Sequence, residues 1–248
     1  MGTLATIFAS LWLMIALITC VFAQTPVPVS PTEVINAGVG GNNTNNVLAR
    51  LDADVIAHKP DLTLVMIGTN DTLAGHSHST VPPDVYERNL REIVRRLHKS
   101  GSQVILMTVL PCIPDLLLTR EDPANFPGGP NSAVARSNDI VRRIAASEHC
   151  LVVDTFTLFL RAGNLGPGKD CLLDNVANSG MTDGVHPTPD GCRIIATAVW
   201  QRLSDAGLKP RRIACLGDSI TAGAFLTGVG TITGDTYPAY LSRLLNGE

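Results

Sequence analysis

Arg212-Ile-Ala-Cys-Leu-Gly-Asp-Ser219, close to the carboxyl end of the chain, joins a short apolar run to an abrupt turn. Ile213 to Leu216 read as a buried strand, and Gly217-Asp218-Ser219 stop it with turn-forming residues. A serine is thereby delivered to the carboxyl end of a strand, the edge at which ligands bind in open α/β sheets. Taken alone, Gly-Asp-Ser is the signature of an ordinary strand-to-loop turn. A chemical reading needs partners elsewhere.

The rest of the chain alternates strands and helices. Strands are expected at Glu33–Ala37, Leu62–Gly68, Gln103–Leu110 and Leu151–Thr155, besides Arg212–Leu216. Helical spacing covers Asn45–His58, Pro83–Ser100, Ser132–Glu148, Pro189–Leu203 and Tyr237–Leu245, with Pro189 suitably placed in a first turn. Near-continuous apolar strands separated by amphipathic helices imply a parallel sheet covered on both faces. No repeat or second domain is evident, so residues 33–248 form one α/β domain of ordinary size.

Ahead of that domain, residues 1–23 carry no charged side chain and contain the apolar block Leu11–Ile18, ending Val21-Phe22-Ala23 before Gln24. This is the pattern of a secretory signal peptide cleaved after a small residue, although the usual basic residue near the start is missing. The other reading is an uncleaved membrane anchor. Residues 24–32, with alternating prolines, form a short extended linker. A secreted, extracellular or periplasmic location is expected, with membrane anchoring if the signal is retained. The 248-residue chain has a formal net charge of −3 with both signs interspersed, which gives no footprint for nucleic acid or an anionic membrane. Of its six cysteines Cys20 lies in the targeting segment, leaving an odd number. In an oxidising compartment Cys171 and Cys192, which bracket a loop, are the expected disulfide, and Cys215 a small buried hydrophobe.

Three further strand ends carry polar residues. In Asn36-Ala-Gly-Val-Gly-Gly-Asn-Asn-Thr44 the glycines let a backbone N–H approach a ligand, as a donor to a developing oxyanion must. The same residues also suit a flexible turn. In Gly68-Thr-Asn-Asp71 the Asn70 carboxamide is either a second donor to that oxygen or a cap. In Met181-Thr-Asp-Gly-Val-His-Pro187, Asp183 and His186 are spaced so that in a tight turn the carboxylate fixes one ring nitrogen and leaves the other as a base. The alternative is a plain surface pair.

Together these four stretches resemble the SGNH hydrolase family, the GDSL esterases and lipases. The match lies in Ser219 within Gly-Asp-Ser, Gly41, Asn70 within Gly-x-Asn-Asp, and His186 within Asp-x-x-His, with Asp183 orienting the histidine. The resemblance implies a three-layer α/β/α flavodoxin-like fold with a five-stranded parallel sheet. It also implies ester hydrolysis through an acyl-serine, with Ser219, His186 and Asp183 catalytic, Ser219, Gly41 and Asn70 forming the oxyanion hole, and Asp218 supporting. No metal or organic cofactor is called for. One departure is large: family members begin with the Gly-Asp-Ser block, which here comes last. Moving 209–248 in front of Glu33 restores the family order, so the chain reads as a circular permutant whose old ends are joined through Ser204–Arg211. The last strand is then expected between the first two, in the order first-fifth-second-third-fourth.

Loops 112–130 and 162–179 are expected to wall the pocket, with Leu116–Leu118 and Phe126 serving either as an acyl-chain wall or as core. His76-Ser-His78 reads as a mobile loop rather than a metal site, and Gly217–Gly223 lacks the ending of a phosphate loop. Asn42-Asn-Thr44 fits a glycosylation sequon, but a glycan there would crowd the pocket. The substrate expected is a small ester or an acylated carbohydrate, giving a carbohydrate O-acetylesterase or short-chain esterase. A lysophospholipase-like lipase, an acyltransferase using the same acyl-enzyme, and a catalytically silent glycan-binding protein are the alternatives.

Overall fold

The computed structural model describes residues 31–248 except His78 and Asn164. The expected signal peptide (1–23), most of the linker (24–32) and one member of the His76/His78 pair therefore lie outside the described residues. In chain order the elements are β1 (Glu33–Gly38), α1 (Thr44–Asp54), β2 (Leu62–Met66), α2 (Thr69–Leu73), α3 (Pro83–Lys99), β3 (Gln103–Met107), α4 (Pro114–Leu117), α5 (Pro130–Ser147), β4 (Leu151–Val153), α6 (Thr155–Ala162), α7 (Pro189–Asp205), β5 (Arg212–Gly217), α8 (Ser219–Ala222) and α9 (Tyr237–Asn246). The strands form one parallel sheet in the order β1-β5-β2-β3-β4, the expected arrangement.

Alternation along each strand sends side chains to two helical layers. Ile213 and Cys215 join Leu62, Leu64, Met66 and Ile105 against α7 and α9, where Ile195, Val199, Tyr237 and Leu241 are buried. Ala214 and Leu216 join Val65, Val104 and Leu106 against α1, α3 and α5, through Leu51, Leu90, Ile93, Leu97 and Ile144. Helix starts follow their local chemistry. Asn43 and Asn46 form a reciprocal capping box on α1, while Thr188 and Thr236 cap α7 and α9 just ahead of early prolines.

Some boundaries differ from the sequence reading. The first helix stops at Asp54, and a separate turn of 3₁₀ helix follows, ended by Lys59 in the left-handed region. β4 ends two residues early because the Asp154 side chain accepts from Thr157 N–H and starts α6. That helix opens Thr-Phe-Thr, residue types that favour strands, and so gave no helical signal. The expected Cys171–Cys192 disulfide is absent. Both thiols are free and packed in the core, Cys192 on the buried face of α7, and Cys171 Sγ accepts the Leu173 N–H at 3.4 Å. They act as small hydrophobes, as Cys215 does. Among the described residues no helix is long and apolar enough to cross a membrane.

β5 can lie between β1 and β2 only because its end carries no side chain. A Cβ on Gly217 would sit 2.1 Å from Thr221 Oγ1 and 2.3 Å from the Met66 carbonyl. Gly217→Ala is therefore expected to destabilise the fold by about 1–3 kcal/mol or more, read from urea unfolding. A change within about 0.5 kcal/mol, the size of an ordinary surface substitution, would show that the strand end is not tightly packed.

Candidate active site

Three strand ends meet at the carboxyl edge of the sheet. β5 runs into Asp218, whose carboxylate accepts the Ile220 N–H at 2.9 Å and caps α8, so that Ser219 is the first residue of that short helix. Its own N–H belongs to the first turn of a helix, where amides have no intrahelical acceptor. β1 leads to a turn containing Gly41 at φ +74°, a conformation suited to glycine. Beyond β2, Gly68 and Thr69 lead to Asn70, whose Nδ2 donates to the Asn42 carbonyl at 2.9 Å. One of its two amide hydrogens is thus used to hold the Gly41 turn, leaving the other.

The fourth stretch comes from a loop. Asp183 Oδ2 accepts the N–H groups of Val185 (2.9 Å) and His186 (2.7 Å), closing the tight turn that the spacing implies. Asp183 Oδ1 is 3.0 Å from His186 Nδ1, and His186 Nε2 is 2.9 Å from Ser219 Oγ. The turn is pinned from outside. Gly184 N–H donates to the Asp174 carbonyl and Asp174 N–H to the His186 carbonyl, both at 2.8 Å. Ile113 N–H donates to the Gly184 carbonyl, also at 2.8 Å. Burial acts to raise the Asp183 carboxyl, but the hydrogen bonds and charge of His186 outweigh it and hold the group below the ordinary aspartate value.

The structure thus brings Ser219, His186, Asp183, Asn70 and Gly41 to one cleft of about 360 Å³. Asp218 sits directly beneath it, fully buried, with an Oδ2 that has no hydrogen-bond partner. Burial pushes its carboxyl up to about 6. Asp71, buried behind Asn70, is likewise pushed up to about 6 by burial, against the opposing hydrogen bonds of Thr44 and with a smaller upward push from Asp218.

Sequence reasoning missed several participants. Arg50 on α1 reaches Asn42 Oδ1 (2.6 Å) and the Gly217 carbonyl (2.9 Å), tying the Gly41 turn to the end of β5. Arg120 donates to the Asp183 carbonyl at 2.7 Å and lies 3.9 Å from its Oδ1. Phe225 meets the His186 ring edge to face at 5.0 Å. These are long-range contacts made by residues in unremarkable local sequence. The loop expectation holds only in half. From 112–130, Leu117 and Arg120 line the cleft, but Leu117 and Phe126 are chiefly core, packed with Leu73, Val109 and Val185. The segment 162–179 instead lines a neighbouring cleft, and its place here is taken by Ala224 and Phe225.

Known proteins bear on this geometry directly. The GDSL-like lipase/acylhydrolase family matches residues 18–194, a stretch that holds Gly41, Asn70, Asp183 and His186 and stops short of Ser219. The chain belongs to that family, and it is an ester-hydrolysing serine hydrolase. It is 28% identical to an acetylxylan esterase of Geobacillus stearothermophilus over 76% of this chain and 80% of the relative. It is 30% identical to the lipoprotein YqeF of Bacillus subtilis over 66% of this chain and 70% of that protein. The crystal structure of Axe2, an acetylxylan esterase from Geobacillus stearothermophilus, superimposes with a TM-score of 0.51 at 28% identity, covering 68% of this chain and 71% of that one.

The two buried carboxyls make stability depend on pH. Each binds its proton more tightly folded (about 6) than at the reference value of 3.8, so the folded state is favoured below that value and loses stability as pH rises towards 6. The carboxylates held low, such as Glu87 and Glu148, oppose this only below about 4.5. Urea unfolding should therefore show stability falling from pH 4.5 to 6, by about 1–2 kcal/mol per group. Asp218→Asn should flatten the slope, and stability rising through that window would contradict the assignment.

Proposed function

We propose that the protein is a secreted or envelope-located esterase that removes short acyl groups, acetyl above all, from carbohydrate, through an acyl-enzyme on Ser219. The carrying observation is the continuous hydrogen-bond chain from Asp183 through His186 to Ser219, with steps of 3.0 and 2.9 Å. A serine hydroxyl is a poor nucleophile at neutral pH until a base takes its proton, and His186 Nε2 stands where that proton leaves. Asp183 on Nδ1 fixes the tautomer and stabilises the imidazolium. As Oγ adds to the ester carbonyl, negative charge develops on its oxygen, and the N–H groups of Ser219 and Gly41 with the free Asn70 hydrogen are the donors for it. His186 then protonates the departing alcohol. The same imidazole activates a water that releases the acid.

Cleft size supports a short acyl group. The apolar wall is formed by Leu73, Ala74, Leu117 and Val185, with Arg120 and Glu121 beside them, which leaves little room for a long chain. The acetylxylan esterase relative supports acetylated sugar as the substrate class, and the lipoprotein relative supports a location outside the cytoplasm.

The chain order supports a circular permutation of the family arrangement. β5 sits between β1 and β2, the family match ends before Ser219, and the two ends of the domain are neighbours. Thr32 N–H donates to Asn246 Oδ1 at 2.8 Å, and Asn246 Nδ2 donates back to the Thr32 carbonyl. A rearranged chain with 209–248 ahead of 33–208 is expected to fold and keep its activity; an insoluble or inactive product would speak against permutation.

Ser219→Ala should abolish ester hydrolysis and labelling by a fluorophosphonate, and Asn70→Ala should lower kcat by roughly 10²–10³. Along p-nitrophenyl esters of rising chain length kcat/KM should be greatest for acetate and at least ~10-fold lower for octanoate. A maximum at the long chains would favour the lipase alternative.

A further inference from the structure

Phe225 stands out from its surroundings. It follows α8 by three residues, it holds a left-handed backbone at φ +67°, and its ring is 64% exposed. Bulky residues rarely adopt that conformation, and strain of this kind persists where function requires it. The ring meets His186 at an interplanar angle of 86° and lines two clefts at once. One is the cleft of Ser219. The other, of about 470 Å³, shares Phe225 with it and includes Lys169, Asp174, Asn178, Thr188, Asp190 and Asp235.

That second cleft is polar and built. Asp174 is only 4% exposed, yet its Oδ2 has no hydrogen-bond partner, an acceptor costly to bury unmet. Most of the other charge is balanced. Asp190 pairs with Arg193. Asp235 accepts from Thr227 Oγ1 (2.6 Å) and the Tyr240 hydroxyl (2.7 Å), while Arg193 and Arg243 stack on the Tyr240 ring. Met181, Pro189 and Leu226 add apolar surface beside these polar groups. Four carboxylates, Asp170, Asp174, Asp190 and Asp235, line the cleft with one lysine, Lys169, so a phosphate or carboxylate would meet an excess of negative charge. An exposed aromatic face beside carboxylate, amide and hydroxyl groups suits an uncharged ring with a C–H face and hydroxyl edges.

We infer that the second cleft is the subsite for the alcohol part of the ester, a neutral sugar residue of an oligosaccharide, stacked on Phe225 with its hydroxyl edges towards the polar side chains that line the cleft. The inference rests on the esterase reading for its orientation. The acyl group lies against Ser219, the sugar lies against Phe225, and the ester oxygen between them falls beside His186. The imidazole can then pass the proton it took from Ser219 Oγ to that oxygen as the carbon–oxygen bond breaks, giving acyl-enzyme and free sugar hydroxyl.

The test uses the full chain. Calorimetric titration of the Ser219→Ala protein with xylotetraose should show binding, weakened at least ~10-fold by added Phe225→Ala and retained with Phe225→Trp. Oligogalacturonate, an anionic counterpart, should bind more weakly than xylotetraose. In the active protein, Phe225→Ala should lower the ratio of kcat/KM for acetylated xylotetraose over p-nitrophenyl acetate about 10-fold, and Phe225→Trp should restore it. Asp190→Trp, at a position that lines the second cleft and not that of Ser219, should lower the same ratio. Equal loss on both substrates would reduce Phe225 to a support for His186 and overturn the inference, as would no binding of xylotetraose or preference for the anionic chain. A wild-type protein inert towards p-nitrophenyl acetate would instead remove the esterase reading, and the titration would still decide on the cleft.

Discussion

The pairing of β5 on both edges is the constraint from which the rest follows. Its backbone is in register with β1 on one side, Gly38 opposite Gly217, and with β2 on the other, Met66 opposite Gly217. Its side chains are buried on both faces, so it can neither slip nor tilt without moving two cores. Two glycines then let α8 settle directly onto the strand ends, since a Cβ on Gly38 would lie 2.1 Å from the Ala222 nitrogen. Ser219 is in effect an extension of the sheet, placed by the same contacts that hold the fold together.

Its partner is held in another way. His186 lies on no strand, and its turn is fixed by backbone hydrogen bonds to Asp174 and Ile113, by the bridge between Leu173 and Pro187, and by the Thr188 cap of α7. Cys171 and Cys192 flank this region as buried, apolar side chains. A covalent brace is unnecessary where the loop already spends its N–H and C=O groups on neighbours. The buried carboxyls beneath the site work against stability at neutral pH, because Asp218 and Asp71 each give up a proton only at the cost of a charge in an apolar surrounding. Asp218 nevertheless supplies the cap on which the placement of Ser219 depends. Stability is given up at the point where geometry is required.

What could be read from the sequence is what local chemistry encodes. An apolar run stopped by Gly217 announces a strand end, and Asp183 and His186 three residues apart announce a turn, because both are settled within a few residues. The layers followed from periodicity for the same reason. Arg50, Arg120 and Phe225 were not legible, since Arg50 and Arg120 matter through partners 167 and 63 residues away and Phe225 through a backbone angle that no composition signals. The capped start of α6 was hidden by strand-favouring residues, and the path of 162–179 was misjudged because a loop following a strand need not turn towards the nearest cleft. Burial likewise decided the cysteines, where the loop bracketed by Cys171 and Cys192 had favoured pairing.

Chain order matters less to the native state than to the route towards it. Once folded, the sheet records only which strands are neighbours, and β5 meets both of its partners wherever it stands in the sequence. During folding the order is felt. β2, β3 and β4 are consecutive and can pair as soon as they exist, whereas Glu33 on β1 must wait for Arg212, 179 residues later, and has no other strand beside it. Loop-closure cost grows only slowly with length, so the final stability is little affected, but contacts of such separation form late. Until β5 arrives, the apolar faces of β1 and the free edge of β2 are uncovered together, and a single strand then closes both gaps and brings Ser219 to His186 in the same step. The arrangement therefore couples completion of the core to assembly of the site: a chain that has not placed its last strand has no Ser219 beside His186 either.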